Sequence, residues 1–257
     1  RSWLGAKLRK IWLLRHGCVI FEDVLHWKYL AALELPMSDD FLRRVALFSG
    51  LTDEEFIDLA ALTHNREYKK GTFIVLAEDV GDEFFIIRKG RVKVNIVHED
   101  GREIILSLLG EGEVFGELSL LDGQPRSANV VTAEPTEPIM LRRDHFIDLI
   151  YKHPHIATAM LSELAGRLRK TDMQIEGLAL MNVASRVSKT ILNLVLEQGS
   201  ETAEGIVLEK RPTHQELAKM AGTTRETVTR VLSRLEKEGY IRCKGRQILV
   251  FNEAYDD

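Results

Sequence analysis

Short stretches rich in β-forming residues fill the middle of the chain, and glycines separate them. The stretches read TFIVLAED, DEFFIIRK, RVKVNIVHED and REIILSLL, and the glycines are Gly71, Gly81, Gly90, Gly101, Gly112 and Gly123. Runs of this length between Gly and Asp turns predict a small all-β barrel or jelly roll. Within it, VKVNIVHEDGREIILSL predicts a hairpin in which Asp100 and Gly101 supply the positive φ angles of a tight turn.

Helical periodicity flanks this β-rich part on both sides. Upstream, the segment SDDFLRRVALFSGLTDEEFIDLAALT has helical spacing, with Ser38 and Thr52 as candidate N-caps. Downstream, residues 142–195 are almost entirely helical in pattern. Pro154 lies near the start of the longest piece, where a proline is tolerated. The predicted fold class is therefore α+β.

The longest predicted helix carries an apolar seam with 3,4 alternation. Its members are Leu161, Leu164, Leu168, Thr171, Ile175, Leu178 and Asn182. Such a repeat is typical of a two-stranded coiled coil and predicts a homodimer. The alternative is a helix that packs on its own barrel, because a single-chain helix can show the same stripe. Thr171 places a hydroxyl within this seam, a feature kept for register or for ligand contact.

The segment RPTHQELAKMAGTTRETVTRVLSRLEKEGYIRCKGRQILVF, residues 211–251, predicts a winged helix-turn-helix. Its first helix begins with a capping box formed by Thr213 and Glu216, and Gly222 provides the turn. The second helix begins at Thr223 or Thr224. Its outer face near the N-terminus carries Arg225, Glu226, Thr229 and Arg230, where a recognition helix meets base edges. YIRCKGRQILVF forms the wing, with Lys244, Gly245 and Arg246 at its tip. The alternative is a winged helix that binds protein or stays solvated.

Composition is that of a soluble globular protein with room for two domains. The 257 residues are 45% hydrophobic and 29% charged. Two cysteines, Cys18 and Cys243, exclude a disulfide framework and a Cys-ligated iron–sulfur or zinc site, and they fit a reducing cytosol. No run approaches the roughly 20 apolar residues of a membrane span. The net charge of −4 conceals a basic C-terminal part, a common property of nucleic-acid binding.

The first 36 residues are expected to lie outside the main fold. RKIWLLRHGCVIF lacks the clean apolar centre and the small-residue cleavage site of a signal peptide. Met37 resembles a natural start, so residues 1–36 are interpreted as an upstream extension, from start-site choice or cloning. The alternative is a regulatory helix around Ile11 to Leu35. The predicted domains are then 37–152 (ligand binding), 153–183 (dimerisation helix and hinge) and 184–257 (DNA binding).

The stretch FGELSLLDGQPRSANV, residues 115–130, places an arginine where the chain returns to a core. A buried guanidinium is costly unless an anion pairs with it. Arg126 can offer two parallel donors to a phosphate, Ser127 adds a hydroxyl, and Glu117 suits a sugar hydroxyl. Phosphate and ribose together indicate a nucleotide. The alternative is that Arg126 pairs with Glu117 inside a ligand-free barrel.

This stretch resembles the phosphate-binding cassette of cyclic-nucleotide-binding domains. The resemblance implies that Glu117 binds the ribose 2′-hydroxyl and that Arg126 and Ser127 bind the cyclic phosphate. The predicted ligand set comprises Gly116, Glu117, Leu118, Arg126, Ser127, Ala128, Thr171 and Asp172. The resemblance assigns Thr171 to the adenine amino group.

Asp172 stands where the family's cyclic-AMP receptors usually have a serine, supplied from the partner subunit. A carboxylate only accepts hydrogen bonds, so it suits the amine of adenine or the N1–H and N2 amine of guanine. Cyclic AMP is the expected allosteric ligand, and cyclic GMP stays an alternative. No cofactor or metal is expected.

The stretch TTRETVTR closely resembles the recognition helix of the cyclic-AMP receptor protein (CRP/FNR) family of bacterial regulators. The resemblance implies that Arg225, Glu226 and Arg230 read a TGTGA-type half-site, arginine on guanine and glutamate on cytosine. Thr213 and Gln215 match residues that contact phosphates. The predicted DNA-binding set is Thr213, Gln215, Thr224, Arg225, Glu226, Thr229 and Arg230.

The resemblance covers residues 37–252 and implies a cytoplasmic, homodimeric, ligand-gated transcription regulator, not an enzyme. Its expected partners are a palindromic DNA site, a cyclic nucleotide and RNA polymerase, which loops at Glu99–Asp100 and Gly199–Gly205 would contact. Met181 to Val183 form the predicted hinge. A regulatory subunit of an enzyme would explain the cassette but not TTRETVTR. No nucleophile–base pair supports a phosphodiesterase, and a ligand-independent DNA binder remains a third alternative.

Overall fold

The computed structural model describes residues 40–252, so the predictions for residues 1–36 and for Ser38 lie outside the described part. The N-terminal helices are α1 (Asp40–Arg44), a 3-10 helix (Ala46–Phe48) and α2 (Asp53–Leu62). Thr52 caps α2 as predicted: its side chain accepts from the Glu55 N–H, and the Glu55 carboxylate accepts from the Thr52 N–H at 2.7 Å. This capping box satisfies two backbone donors at the helix start.

Eight strands follow and form a jelly roll with one short helix inserted. They are β1 (Thr63–Asn65), β2 (Phe73–Val75), β3 (Glu83–Lys89), β4 (Val92–Val97), β5 (Glu103–Leu109), β6 (Val114–Phe115), β7 (Asn129–Thr132) and β8 (Glu137–Arg142), with α3 (Glu117–Asp122) between β6 and β7.

The strands form two four-stranded antiparallel sheets, in the orders β1-β8-β3-β6 and β2-β7-β4-β5. Apolar side chains of both sheets, among them Phe85, Val92 and Val130, form one buried cluster. The β-rich prediction is confirmed as a jelly roll of two sheets rather than as a closed barrel.

The predicted hairpin forms between β4 and β5, but its turn differs from the expectation. The His98 N–H donates to the Arg102 carbonyl, which leaves a three-residue loop. Within this loop, residues 99–101, Gly101 is the one residue with a positive φ, of 83°. The expectation that Asp100 also adopts positive φ was wrong, because a three-residue loop needs only one left-handed residue, at its end.

Three helices continue the chain: α4 (Arg143–Lys152), α5 (Pro154–Leu180) and α6 (Val183–Gln198). Pro154 occupies the first turn of α5, as predicted. Asn182 was predicted to continue the apolar seam, and this was wrong. The helix ends at Leu180, and the Asn182 side chain instead caps α6 by accepting from the Ser185 N–H at 3.0 Å. Asparagine is a favoured N-cap, and here it starts a new helix. The interruption between α5 and α6 therefore falls at Met181–Val183, the segment predicted to be the hinge.

The C-terminal part is a winged helix-turn-helix. Its elements are β9 (Ser200–Thr202), β10 (Gly205–Leu208), α7 (His214–Ala221), α8 (Arg225–Lys237), β11 (Ile241–Lys244) and β12 (Gln247–Phe251). The strands pair in the order β11-β12-β10-β9. Val228 and Leu232 of α8 and Leu217 of α7 are buried in its core. Within the described range, no helix is long and apolar enough to cross a membrane.

Candidate functional site

The cassette begins where strand β6 turns into helix α3 at Gly116. This residue has a φ of 84°, which a side chain disfavours. A Cβ at Gly116 would lie 2.7 Å from Nη1 of Arg126 and 3.0 Å from the Glu83 carbonyl oxygen. Glycine is therefore required here both by the backbone conformation and by the close approach of the arginine.

Arg126 is buried, with 6% of its surface exposed. Nη1 donates to the Gly116 carbonyl at 2.7 Å, and Nη2 donates to the Glu83 carbonyl at 2.8 Å. No carboxylate of the described residues lies within ion-pair distance of its guanidinium. Burial lowers the pKa of Arg126, while the more distant charges of Asp82, Glu83 and Glu117 oppose this effect. The structure thus buries a cation whose described partners are two backbone carbonyls and the face of the Phe85 ring, with Cζ 5.8 Å from the ring centroid.

Glu117 is the first residue of α3 and is 2% exposed. Its Oε1 accepts from Nη1 of Arg167 at 2.9 Å. Its Oε2 is buried and has no hydrogen-bond partner among the described residues. The alternative pairing of Glu117 with Arg126 is not formed. A buried carboxylate oxygen is costly unless a donor reaches it, and a ligand hydroxyl is such a donor.

The other predicted cassette residues divide between surface and core. Ser127 directly follows Arg126 and is exposed. Ala128 is buried, and Leu118 is largely exposed on α3. The structure therefore brings Arg126 to the turn formed by Gly116 and Glu117.

Arg167 of α5 belongs to this site, and sequence reasoning missed it. Nη1 binds Glu117, Nη2 donates to the Val114 carbonyl, and Nε donates to Glu163 at 3.0 Å. It joins the long helix to the cassette at Glu117. A signal was available, because Arg167 precedes Thr171 by four residues and therefore lies on the same face of the helix.

Thr171 and Asp172 lie one turn further along α5, and both are exposed. The Thr171 hydroxyl donates to the Arg167 carbonyl at 3.0 Å, so its oxygen keeps acceptor capacity. Among the described residues, no hydrogen bond joins Thr171 or Asp172 to Glu117 or Arg126. Thr171 follows Arg167 by four residues and shares the helix face that contacts the cassette, whereas Asp172 lies off that face.

The apolar seam of α5 is mostly exposed. Leu161 is 66% exposed, Leu168 62% and Ile175 59%. The alternative in which these residues pack on the chain's own jelly roll is therefore wrong for these three positions. Large apolar side chains aligned and exposed on one helix indicate a surface that another element covers.

The candidate DNA-binding residues surround the N-terminal ends of α7 and α8. Thr213 caps α7 in the predicted capping box with Glu216. Thr224 caps α8 by accepting from the Thr227 N–H, so α8 begins at Arg225. Gln215 on α7 is exposed, as are Arg225, Glu226 and Arg230 on α8.

Local contacts hold several of these side chains, among them Arg230, whose Nη2 donates to the Thr227 hydroxyl at 3.3 Å. The pKa of Glu226 is lowered, mainly because its carboxylate accepts a hydrogen bond from the Glu226 backbone N–H and, to a smaller extent, one from the Thr224 side chain. The carboxylate therefore stays ionised. The Thr229 hydroxyl contacts Nδ1 of His214 at 2.8 Å and donates to the Arg225 carbonyl at 3.0 Å. All seven predicted residues lie in or cap α7 and α8, and the contact between His214 and Thr229 joins these two helices.

Arg186 links the hinge to the turn of the helix-turn-helix, a role that the sequence did not reveal. Its Nε donates to the Ala221 carbonyl at 3.0 Å, Nη1 to Met181 at 3.0 Å and Nη2 to Gly222 at 3.3 Å. Because Gly222 directly precedes the loop into α8, one guanidinium connects the end of α5 with the base of the recognition helix.

A second link joins α7 to the jelly roll. Lys219 of α7 forms an ion pair with Glu103 of β5. Burial alone would raise the pKa of Glu103, but hydrogen bonds from Lys219 and Asn95 and the charge of Lys93 lower it. Gln174 of α5 also donates to the Leu106 carbonyl at 3.0 Å.

Among residues 40–252, no cluster of His, Cys, Asp and Glu is arranged to hold a metal ion.

Two family models match the chain. The cyclic nucleotide-binding domain matches residues 65–153, and the Crp-like helix-turn-helix domain matches residues 185–255. The first contains the whole cassette, and the second contains both helices of the helix-turn-helix.

Similar proteins cover most of the chain. The cyclic AMP receptor protein of Thermus thermophilus is 41% identical over 76% of this chain and 88% of its own length. A CRP-like cAMP-activated global transcriptional regulator of Mycobacterium tuberculosis is 30% identical over 82% of this chain and 95% of its own length. A solved structure of the c-di-GMP responsive global regulator CLP of Xanthomonas campestris has a TM-score of 0.65 and 26% identity, covering 78% of this chain and 100% of that one.

Proposed function

Because the chain belongs to the cyclic-AMP receptor protein (CRP/FNR) family of transcription regulators, we propose that it is a homodimer whose affinity for DNA is set by cyclic AMP. It combines a cyclic nucleotide-binding domain with a helix-turn-helix DNA-binding domain and, like its relatives, is not an enzyme. The proposal adds the identity of the ligand, the oligomeric state and the residues that perform each step.

The observation that carries the ligand proposal is the unusual pairing state of Arg126 and Glu117. The buried guanidinium lacks an anionic partner within 4 Å among the described residues, and Oε2 of Glu117 lacks a donor. A cyclic phosphate supplies the anion for Arg126, with Ser127 as an additional donor, and the ribose 2′-hydroxyl supplies the donor for Glu117. Gly116, Leu118 and Ala128 line the same turn. One small molecule thereby satisfies both groups.

The base of the nucleotide lies against α5 at Thr171 and Asp172. Arg167 anchors this part of the helix to Glu117, so the base that extends from the ribose meets the next helical turn. The names of the relatives from Thermus and Mycobacterium support cyclic AMP. The Asp172 carboxylate keeps cyclic GMP as a second candidate, because the N1–H and N2 amine of guanine match its two oxygens.

The dimer forms along the exposed seam of α5. Leu161, Leu168 and Ile175 pack against the same residues of a second copy, which buries apolar surface that a single copy leaves in water. The base contacts are then made at the dimer interface, so nucleotide binding distinguishes between two arrangements of the paired helices. Differential binding of this kind is what a ligand-driven switch requires.

The two recognition helices read a palindromic site of the TGTGA type. Arg225 and Arg230 donate to guanine O6 and N7, and Glu226 accepts from cytosine N4. Thr213 and Gln215 contact phosphates from α7, and Thr224 and Thr229 lie beside them. Half-sites one DNA turn apart, about 34 Å, require a defined separation of the two α8 helices. The regulator acts in the cytoplasm, and its exposed loops recruit RNA polymerase.

The switch is transmitted through the hinge at Met181–Val183. Arg186 holds the Met181 carbonyl on one side and the Ala221 and Gly222 carbonyls on the other. A shift of α5 therefore moves the turn that precedes α8. The ion pair between Lys189 and Glu176 also spans the hinge, with a distance of 3.2 Å between Nζ and Oε2.

Calorimetric titration with cyclic AMP, cyclic GMP and cyclic di-GMP tests the ligand proposal. We expect the tightest binding for cyclic AMP, at one molecule per chain. The Asp172→Ser variant should change the ratio of cyclic AMP to cyclic GMP affinity, whereas Arg169→Ser, an exposed position three residues earlier, should leave it unchanged. If the wild type prefers cyclic GMP and Asp172→Ser reverses this preference, cyclic GMP is the ligand and cyclic AMP is not. Absence of binding for all three would overturn the ligand proposal.

A further inference from the structure

His214 is the first residue of α7 and lies between two candidate DNA-contacting residues, Thr213 and Gln215. It directly follows Thr213, the N-cap, and its Nδ1 lies 2.8 Å from the hydroxyl of Thr229 on α8. The imidazole therefore bridges the two helices of the helix-turn-helix at their DNA-facing ends.

The hydrogen bonds around Thr229 determine which ring nitrogen of the neutral His214 carries the proton. A threonine hydroxyl has one hydrogen, and Thr229 donates it to the Arg225 carbonyl at 3.0 Å. The Thr229 oxygen can then only accept from His214, so Nδ1 must carry hydrogen. In the neutral ring Nε2 is consequently a bare lone pair, which repels a phosphate oxygen.

The charged groups that face His214 are cationic. Arg211 approaches from the segment before α7 and Arg225 from the start of α8, while the Glu216 carboxylate is engaged by the Thr213 N–H and hydroxyl at 2.8 Å. Burial, followed by the charges of Arg211 and Arg225, lowers the pKa of His214. Without DNA the ring is therefore mainly neutral near physiological pH.

We propose that His214 is a proton-linked contact to the DNA backbone, in which Nδ1–H stays on Thr229 and Nε2 takes up a proton from solvent to donate to a phosphate oxygen. The inference rests on the proposed DNA-binding surface. The phosphate supplies the anion that the ring lacks in the free protein and offsets the charges of Arg211 and Arg225. Imidazolium then becomes the favoured form, with both nitrogens donating.

The direction of the pH effect follows from proton counting. The DNA-bound state binds one proton more than the free state wherever the pH lies between the lower pKa of free His214 and its higher pKa in the complex. DNA affinity must therefore rise as the pH falls through this range, by at most about tenfold per pH unit for one proton. Above the range the contact contributes nothing.

The test compares the pH dependence of DNA affinity for three forms of the full-length, cyclic-nucleotide-saturated protein between about pH 6 and pH 8. His214→Asn keeps a donor near the Nδ1 position but lacks Nε2, and His214→Arg carries a permanent charge. We expect the wild type to bind more tightly at low pH, His214→Asn to lose that gain, and His214→Arg to bind equally well across the range. His98→Asn, a change at an exposed histidine of the β4–β5 hairpin, should behave as wild type.

Calorimetry in two buffers of different ionisation enthalpy counts the protons directly. Net uptake on DNA binding by the wild type, absent in His214→Asn, would support the inference. A pH slope and proton uptake identical in wild type and His214→Asn would overturn it, because the ring would then have only a structural role. Failure of all forms to bind any duplex would instead contradict the proposed DNA-binding function, so the two failures are distinguishable.

Discussion

Glu117 of the cassette and Arg167 of the long helix form an ion pair in which Oε1 and Nη1 are 2.9 Å apart. Glu117 is almost fully buried, whereas the Arg167 side chain is 27% exposed. The pair joins the residue expected to hold the ribose to the helix expected to pair with a second subunit. Ligand contact and helix position are thus connected through two side chains.

A double-mutant cycle measures this connection. Arg167→Gln should weaken cyclic-nucleotide binding, because it leaves the buried Glu117 without its cationic partner. Glu117→Gln should weaken it as well, because an amide keeps one acceptor oxygen, which Arg167 engages, and replaces the oxygen expected to accept from the ribose with an NH2 donor. If the pair acts as a unit, the two effects on binding free energy will deviate from additivity by about 0.5–3 kcal/mol. Calorimetric titration of all four proteins gives the coupling, and strict additivity would show that the two residues act independently.

The proposed dimer interface along the apolar seam of α5 can be tested by introducing a charged residue into the seam. Leu168→Glu places a carboxylate opposite its own copy in the dimer, where like charges and desolvation both oppose association. Sedimentation should show monomers for Leu168→Glu at concentrations where the wild type is dimeric. Arg169→Glu, at the neighbouring exposed position outside the seam, should remain dimeric. A monomeric wild type, or a dimeric Leu168→Glu, would contradict the proposed interface.

The recognition helix should show positional specificity. Arg225→Ala should cost about 1–3 kcal/mol of binding free energy at the specific site and relax the preference at one base pair. Arg234→Ala, at the C-terminal end of the same helix, provides the matched control and should leave base preference unchanged. Competition binding with single-base variants of the duplex distinguishes the two. Equal weakening for every sequence would make Arg225 a phosphate contact only.

Arg186 should affect coupling more than binding. Arg186→Gln removes donors to the carbonyls on both sides of the hinge, while the cassette and the outer face of α8 stay intact. Nucleotide affinity should therefore persist. The factor by which cyclic AMP raises DNA affinity, typically about 5–150-fold for allosteric coupling, should become several-fold smaller. Anisotropy titrations with and without nucleotide measure the factor. An unchanged factor would exclude Arg186 from the transmission.

The parts of the fold that local chemistry determines were predictable from the sequence. Thr52 and Thr213 each precede a glutamate at the capping-box spacing, and both boxes form. Gly116 and Gly222 stand where the chain needs positive φ, and both adopt it. The 3,4 alternation of the seam likewise depends only on helix geometry, whereas its exposure is a finding of the structure.

The contacts between distant elements were not predictable in the same way. Arg167, Arg186 and Lys219 each meet backbone or carboxylate groups that lie far away in the sequence, and only tertiary packing decides which face of a helix meets them. Asp100 and Asn182 show a second limit. Both lie at element ends, where loop length and capping override the pattern that precedes them.

The measurement that tests the central claim most directly is the affinity for a fluorescent TGTGA-type palindromic duplex with and without cyclic AMP, for the wild type and Arg126→Leu. We predict that cyclic AMP raises wild-type affinity by about tenfold or more and leaves Arg126→Leu unchanged. Circular dichroism and sedimentation must show Arg126→Leu to be folded and of wild-type mass. Equal wild-type affinity in both conditions, or a nucleotide response that survives in Arg126→Leu, would contradict the account.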